Sequence, residues 1–442
     1  MPSRGTASDR RTVLKRLGAG VGVASLAGCI GGDSGGGDGG GDDGGDGSGD
    51  GGGSGGGTVD VGVYGPFSGP SAAVGQGMER GAEIAAEMIN EDGGIAGNDV
   101  ELHFADTESE PATGRNAVDS IIQNQDIDVL AGGFHSDVSV AVQELTAERG
   151  VPQMISNSVG AVISDRIREN GYKHSFKMAP PNEAYGVGWS AWLEYFQENE
   201  VGHFPMDDPS IALIAENTSY GNPIADSVEN YLGESDMDWT VVSKDSHEYD
   251  ATTFTSLLTR VQDADPDVVL TAQSNPSAAG SLISDFGDVG FEDTHLMMTW
   301  TPSNPTTLET GGSTSNGVLW LTSIGAVPSL SQDLRSAWNE KHDDRFPGTN
   351  ASLAFDNLMM VAKALESAGV DDLTVDSWYD AVIDLEHEGT AGTYNFLEDG
   401  NVADWGPGSG IPPLGHQVRD MSNHLVWPEE YGETEIDESL YQ

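Results

Sequence analysis

The chain has 442 residues and a formal net charge of −53, with 19 Lys and Arg against 72 Asp and Glu. Such an excess of anionic side chains argues against nucleic acid and anionic lipid as partners, whose phosphates would be repelled rather than neutralised. It says little about a ligand: in molar salt the Debye length shrinks to about 3 Å, so a carboxylate-rich surface escapes self-repulsion, and the charge reads as adaptation to a hypersaline setting.

The first segment is an address rather than a fold. Arg10 and Arg11 form a twin-arginine pair, an apolar run from Leu17 to Ala27 follows, and Leu26-Ala27-Gly28-Cys29 closes it like a lipoprotein cleavage box. The run is shorter than the ~20 residues of a membrane-spanning helix. This order predicts an export signal over 1–28, removed at maturation. Cys29 is the single cysteine, so an internal disulfide is impossible, and its place in the box makes it the expected lipidation site. Residues 31–57 contain only 18 Gly, 6 Asp and 3 Ser. With nothing apolar to bury, 29–57 reads as a disordered tether spanning about 30 Å. Residues 1–28 hold five of the basic and one of the acidic side chains, so the mature chain would carry −57.

From residue 58 the pattern alternates. Val59, Val61 and Val63 mark a strand ending at Gly65-Pro66; Gln76 to Asn90 repeats apolar residues at helical spacing. Strands are predicted at 100–104, 128–131 and 151–155, with helices at 111–124, opened by Pro111, and 137–149. After Pro180-Pro181 a second series runs: helices at 183–198, 222–232, 253–264 and 277–289 between strands at 211–215, 239–243, 268–272 and 295–299. Then come a strand at 318–321, helices at 330–345, 353–368 and 375–383, and short strands at 393–396 and 417–426. The βα repetition implies α/β architecture with mostly parallel sheets, and the length suits two domains.

Gly65-Pro66-Phe67-Ser68-Gly69-Pro70, Gly75-Gln76, Gly81-Ala82-Glu83 and Ile89-Asn90-Glu91-Asp92-Gly93-Gly94-Ile95-Ala96-Gly97 occur in an order that resembles the start of leucine/isoleucine/valine-type periplasmic binding proteins of ABC importers. Asp106 with Pro111, Ala131-Gly132-Gly133, Gly150-Val151-Pro152, Asn217-Thr218-Ser219-Tyr220-Gly221, Pro266-Asp267-Val268-Val269 and Gly287-Asp288-Val289-Gly290-Phe291 extend the likeness across 58–430. The resemblance implies a two-lobed type I fold, each lobe a mostly parallel sheet flanked by helices, with a hinge between. Lobe 1 is expected at 58–180 plus 305–385, and lobe 2 at 181–304 plus 386–442. It further implies an extracytoplasmic protein that binds a small polar solute (a branched-chain or other amino acid, amide, urea-type compound or organic acid) and delivers it to a permease and its ATPase; with the lipid on Cys29 as its membrane anchor, a monomer without cofactor or metal is expected. A ligand-sensing receptor subunit of the same fold is the alternative.

Ligands of open α/β sheets sit beyond the carboxyl ends of strands, which selects loops. Phe134 and Ser136 follow one predicted strand, and Asn157 and Ser158 another; the family's matching loops hold a ligand carboxylate through hydroxyls and main-chain N–H groups. Tyr220 matches a position where an aromatic covers the ligand. Ser274, Asn275, Trp300 and Thr301 follow two further strand ends. Where amino-acid binders of the family place a carboxylate against the ligand ammonium, this chain has Thr299-Trp300-Thr301-Pro302; Asp137, Glu216 and Asp356 remain as substitutes. The family's disulfide near the first loop is absent, His135 standing near its place. Of two glycosylation sequons, at Asn217 and Asn350, the latter is favoured because Asn217 lies close to the expected cleft. No Gly-x-Ser-x-Gly, His-Glu-x-x-His, Lys-bearing phosphate loop or Cys/His cluster points to catalysis.

Overall fold

The computed structural model describes residues 56–199, 201, 208–235, 239–342, 346 and 348–441. The export signal with Arg10 and Arg11, the lipidation site Cys29 and nearly all of the tether lie outside them. Among the described residues no helix is long and apolar enough to cross a membrane.

The first lobe is built on five parallel strands: β1 (Thr58–Gly65), β2 (Asp99–Asp106), β3 (Val129–Gly132), β4 (Gln153–Ile155) and β5 (Ser175–Lys177), in the order β2-β1-β3-β4-β5. The register sets Val61 beside Leu102 and Val129. Helices α1 (Ala72–Glu91), α2 (Pro111–Gln125), α3 (Ser136–Arg149) and α4 (Ala161–Asn170) connect them. The α1 residues Val74, Met78, Ala82, Ala85 and Ile89 recur at helical spacing and are buried. Sequence periodicity missed α4 and β5; α4 buries only Ile163, Ser164 and Ile167, too sparse a stripe to stand out.

The second lobe holds β6 (Ser210–Glu216), β7 (Thr240–His247), β8 (Val268–Ala272), β9 (His295–Met298), β10 (Leu319–Thr322), β13 (Leu414–Arg419) and β14 (Ser422–Trp427), ordered β14-β13-β10-β9-β8-β6-β7. Helices α5 (Glu183–Glu198), α6 (Gly221–Glu234), α7 (Thr255–Gln262), α8 (Pro276–Val289) and α9 (Pro305–Gly311) flank it. The single strand expected at 417–426 is a hairpin. Asp420 and Met421 turn the chain with φ of 48° and 60°, the two left-handed residues that match a tight turn to strand twist, and neither is a glycine that would have announced it.

The crossings between lobes differ from the sequence-based bounds. β10 pairs in parallel with β9 and antiparallel with β13, so 305–322 belongs to the second lobe rather than the first. The chain then returns: α10 (Gln332–Lys341) and α11 (Thr349–Ala368) pack on α1, and α12 (Val375–Ile383) on α11. β11 (His387–Gly389) and β12 (Gly392–Tyr394) follow. Asn401 bridges to Lys177, and Phe396 packs on Phe176 at 5.6 Å, so 386–402 extends the first lobe. Only β13 and β14 close the second. A lone strand such as 318–321 reads alike in either sheet; its pairing partners decide its lobe.

Asn357 ties α11 to the functional end of the first sheet. Its Oδ1 accepts from the Gly132 N–H at 2.9 Å and its Nδ2 donates to the Met154 carbonyl at 3.1 Å. The N-terminus of α11 is thereby held beside the ends of β3 and β4.

Candidate functional site

The carboxyl ends of the two sheets face each other across a narrow cleft. From the first lobe Phe134, His135 and Ser136 follow β3, and Asn157 and Val159 follow β4. Opposite stand Tyr185 of α5, Tyr220 after β6, Ser274 after β8, Trp300 after β9, and Thr322 and Ile324 at the end of β10. Thr349, Asn350 and Leu353 of α11 complete the wall. Gly133 makes the first loop possible: its φ is +101°, and a Cβ would lie 2.4 Å from the Tyr64 hydroxyl.

The lobes are closed on one another. Phe134 meets Trp300 edge-on at 5.6 Å and 88°, His135 meets Tyr249 at 5.1 Å, and the Tyr249 hydroxyl bonds to Ser71 and, at 3.3 Å, to His135 Nε2. The cleft keeps about 420 Å³ of atom-free space, of which the centres of water molecules can reach about 30 Å³. That admits a few heavy atoms unless the lobes part.

Six of the nine sequence-predicted ligand residues, Phe134, Ser136, Asn157, Tyr220, Ser274 and Trp300, line this cleft. Three do not. Ser158 is fully buried behind its loop, donating to the Phe134 carbonyl at 3.1 Å and bonding Ser139 Oγ at 2.7 Å; its hydroxyl holds the loop. Asn275 caps α8, accepting from Ser277 and Ala278 N–H and donating to the Tyr249 carbonyl. Thr301 opens a short 3-10 turn and is fully buried. One position along a loop reverses which way a side chain points, and strand-end spacing alone cannot choose. Strand-end spacing does not select Tyr185, Thr349, Asn350 and Leu353, which lie on helices, and Thr322 and Ile324 stand at the end of β10, whose sheet only its pairing decides. Asn350, favoured for glycosylation, is 4% exposed and accepts from Asn157 Nδ2 at 2.8 Å; it has no room for a glycan, whereas Asn217 is exposed.

Among the described residues, no Asp, Glu, Lys or Arg lines the cleft. Burial holds the His135 imidazole down to about 3, so it is neutral at ordinary pH. The three substitute carboxylates face elsewhere. Asp137 is exposed at the start of α3. Asp356 is fully buried, accepting from Thr390 N–H, Thr390 Oγ1 and Tyr394 OH. Glu216 is 1% exposed and accepts from Ser274 N–H at 2.7 Å, Ser274 Oγ at 2.6 Å and Thr218 Oγ1 at 2.9 Å; burial raises its pKa. With its proton committed to Glu216, Ser274 Oγ can only accept from a guest. Asn157 Oδ1 is a second buried acceptor, without a hydrogen-bond partner among the described residues. Ser136 Oγ accepts from the Gly160 N–H at 3.0 Å, leaving its own O–H to donate. A guest that both donates and accepts hydrogen bonds, and carries some apolar surface for the aromatic walls, satisfies the cleft.

Comparison with known proteins agrees with this architecture. Residues 58–404 match the family model described as periplasmic binding protein. A curated relative, Leu/Ile/Val-binding protein homolog 3 of Brucella melitensis, is 28% identical over 185 residues, covering 42% of this chain and 46% of its own; the match spans about half the length of the first curated relatives. A crystal structure described as a branched-chain amino acid ABC transporter from Silicibacter pomeroyi superposes with a TM-score of 0.75 at 23% identity, over 86% of this chain and 98% of the other. The substrate-binding protein LivJ of Streptococcus pneumoniae in complex with isoleucine gives 0.69 at 18%, over 84% and 100%. A Rhodopseudomonas palustris solute-binding protein in complex with benzoate gives 0.69 at 16%, over 84% and 96%. The family match over most of the folded region, together with a fold shared along almost the whole of these structures, places the chain in the periplasmic binding protein family.

Proposed function

We propose that this protein is the extracytoplasmic solute-binding component of an ABC importer, lipid-anchored through Cys29 after twin-arginine export, and that its solute is a small uncharged molecule of amide or urea type. The observation that carries the solute class is the cleft itself: facing strand ends enclose acceptors at Asn157 and Ser274, a donor at Ser136 and aromatic walls at Phe134, Tyr220 and Trp300, with no charged side chain among the described residues. An α-amino acid would bring an ammonium into a low-dielectric cavity without a carboxylate to meet it, which is costly. Structures of this fold hold isoleucine in one case and benzoate in another, so the scaffold adapts to its lining. The protein acts as a monomer whose closed lobes are read by a permease and its ATPase, and the acidic surface keeps it soluble in concentrated salt.

The test is a panel of short amides, urea-type compounds, amino acids and organic acids, measured by thermal shift and calorimetry in molar KCl. Micromolar or tighter binding of an amide is expected. Tightest binding of an α-amino acid would remove the solute class, and silence across the panel would remove the solute-binding reading. Cys29→Ser should release the protein into the medium; continued membrane association would require another anchor.

A further inference from the structure

A second cavity adjoins the cleft, the two meeting at Thr322 and Thr349. The centres of water molecules can reach about 420 Å³ of it, against about 30 Å³ in the cleft. Trp320 and His416 form one wall, stacked at 3.9 Å and 4°. Phe346 stands on another, with the Arg335 guanidinium over its ring at 5.0 Å. The walls come from both lobes: Trp320 and His416 from β10 and β13, Arg335 from α10 packed on α1.

Arg335 is the unusual member. Acidic side chains outnumber basic ones almost fourfold, and Arg115, Arg149, Arg166, Arg168 and Arg260 each hold a carboxylate. Arg335 holds none among the described residues. Its Nε donates to Ser331 Oγ at 2.8 Å, and the side chain lines the cavity with its guanidinium over Phe346. Glu433 shares the wall and its charge acts on Arg335, partly offsetting the burial of the guanidinium, though no direct ion pair joins them. Burial, and beyond it the charge of Arg335, hold the His416 imidazole neutral at about 3, so the stacked pair offers an uncharged aromatic face.

We propose that this cavity is a second ligand site, distinct from the solute cleft, which binds a small aromatic monocarboxylate with its carboxylate on the Arg335 fork and its ring against Trp320–His416 or Phe346. A planar guanidinium matches a carboxylate bidentately, and aromatic walls select a ring. Glu433 in the wall disfavours a doubly charged phosphate by like-charge repulsion. A ligand touching both lobes also favours their closure, so it and the cleft solute reinforce each other reciprocally.

The probe is benzoate, titrated into the full-length protein by tryptophan fluorescence and calorimetry at 0.5 and 2 M KCl. One site per chain is expected, weaker at the higher chloride concentration because chloride competes for the guanidinium. Arg335→Gln should weaken benzoate at least tenfold while leaving the affinity for the cleft solute's best panel compound within about threefold. Arg335→Lys, which keeps the charge and loses the fork, should fall between and guards against a folding defect in the glutamine variant. Ser136→Ala, in the cleft, should leave benzoate binding in place. No benzoate binding by the wild-type protein, or equal binding by wild type and Arg335→Gln, overturns the proposal. So does loss of benzoate on Ser136→Ala alone, which would place it in the cleft. None of these outcomes depends on which solute the cleft takes.

Discussion

Replacing Tyr249 by Phe isolates the clasp that closes the cleft. The change keeps the ring, which packs edge-on against His135 at 5.1 Å, and removes only the hydroxyl. That hydroxyl lies on the second lobe and bonds to Ser71 and His135 of the first. When the lobes part, water replaces both partners, so each bond contributes its net value of about 0.5–1.5 kcal/mol rather than its gross strength. The pair therefore stabilises closure by about 1–3 kcal/mol, and a binding protein that rests open loses that amount from its apparent affinity. At 1.4 kcal/mol per factor of ten, Tyr249→Phe should weaken solute binding by about 5- to 150-fold. Contacts within each lobe are untouched, so thermal stability without ligand should barely move. Calorimetry reads the affinity, and small-angle scattering with saturating solute reads closure. An unchanged affinity in the variant, with the liganded protein still compact, would refute the idea that these bonds hold the lobes together.

The cleft should also respond to pH through His135, whose closed-state pKa of about 3 lies below its ordinary 6.5 because burial excludes the charged ring. A depressed histidine supports closure above about pH 6.5 and withdraws that support as the pH falls, so affinity should decline by up to tenfold per unit below 6.5. A titration that stays flat from pH 8 to 5 would contradict this, and His135→Asn should flatten the decline. Ser158→Ala should cost stability of about 1–2 kcal/mol through the two buried bonds it makes, with solute affinity near wild type. A tenfold affinity loss at unchanged melting temperature would instead return Ser158 to the cleft. Asp356 is pushed from 3.8 up to about 6 by burial. The stability it confers is present below pH 3.8 and lost as the pH rises through 6. The stability gap between wild type and Asp356→Asn should then shift in favour of the variant by about 1–2 kcal/mol from pH 5 to 7.5; denaturant unfolding giving a pH-independent gap would exclude a raised carboxyl.

Much of this molecule follows from local chemistry written along the chain. Alternating valines in β1, Pro111 at the first turn of α2 and the helical spacing of Met78, Ala82, Ala85 and Ile89 set elements without reference to anything distant, because burial of one face imposes a period. Loops after strand ends were equally legible, and those loops carry Phe134, Ser136, Asn157, Tyr220, Ser274 and Trp300, which line the cleft. Pairing and orientation were not legible. β10 joins the second lobe through hydrogen bonds to β9 and β13, partners about 20 and 100 residues away that no local pattern names. Ser158 turns inward while its neighbour Asn157 faces the cleft, since adjacent residues point to opposite sides and only the packing of α3 and Ser139 fixes which. Tyr249 and Arg335 look like ordinary surface residues until two lobes place Ser71 and His135 around one and an aromatic cavity before the other. Periodicity follows from backbone geometry within a few residues; which carboxylate, hydroxyl or ring meets which across a cleft is set by long-range closure of the chain, and appears only when the tertiary structure is formed.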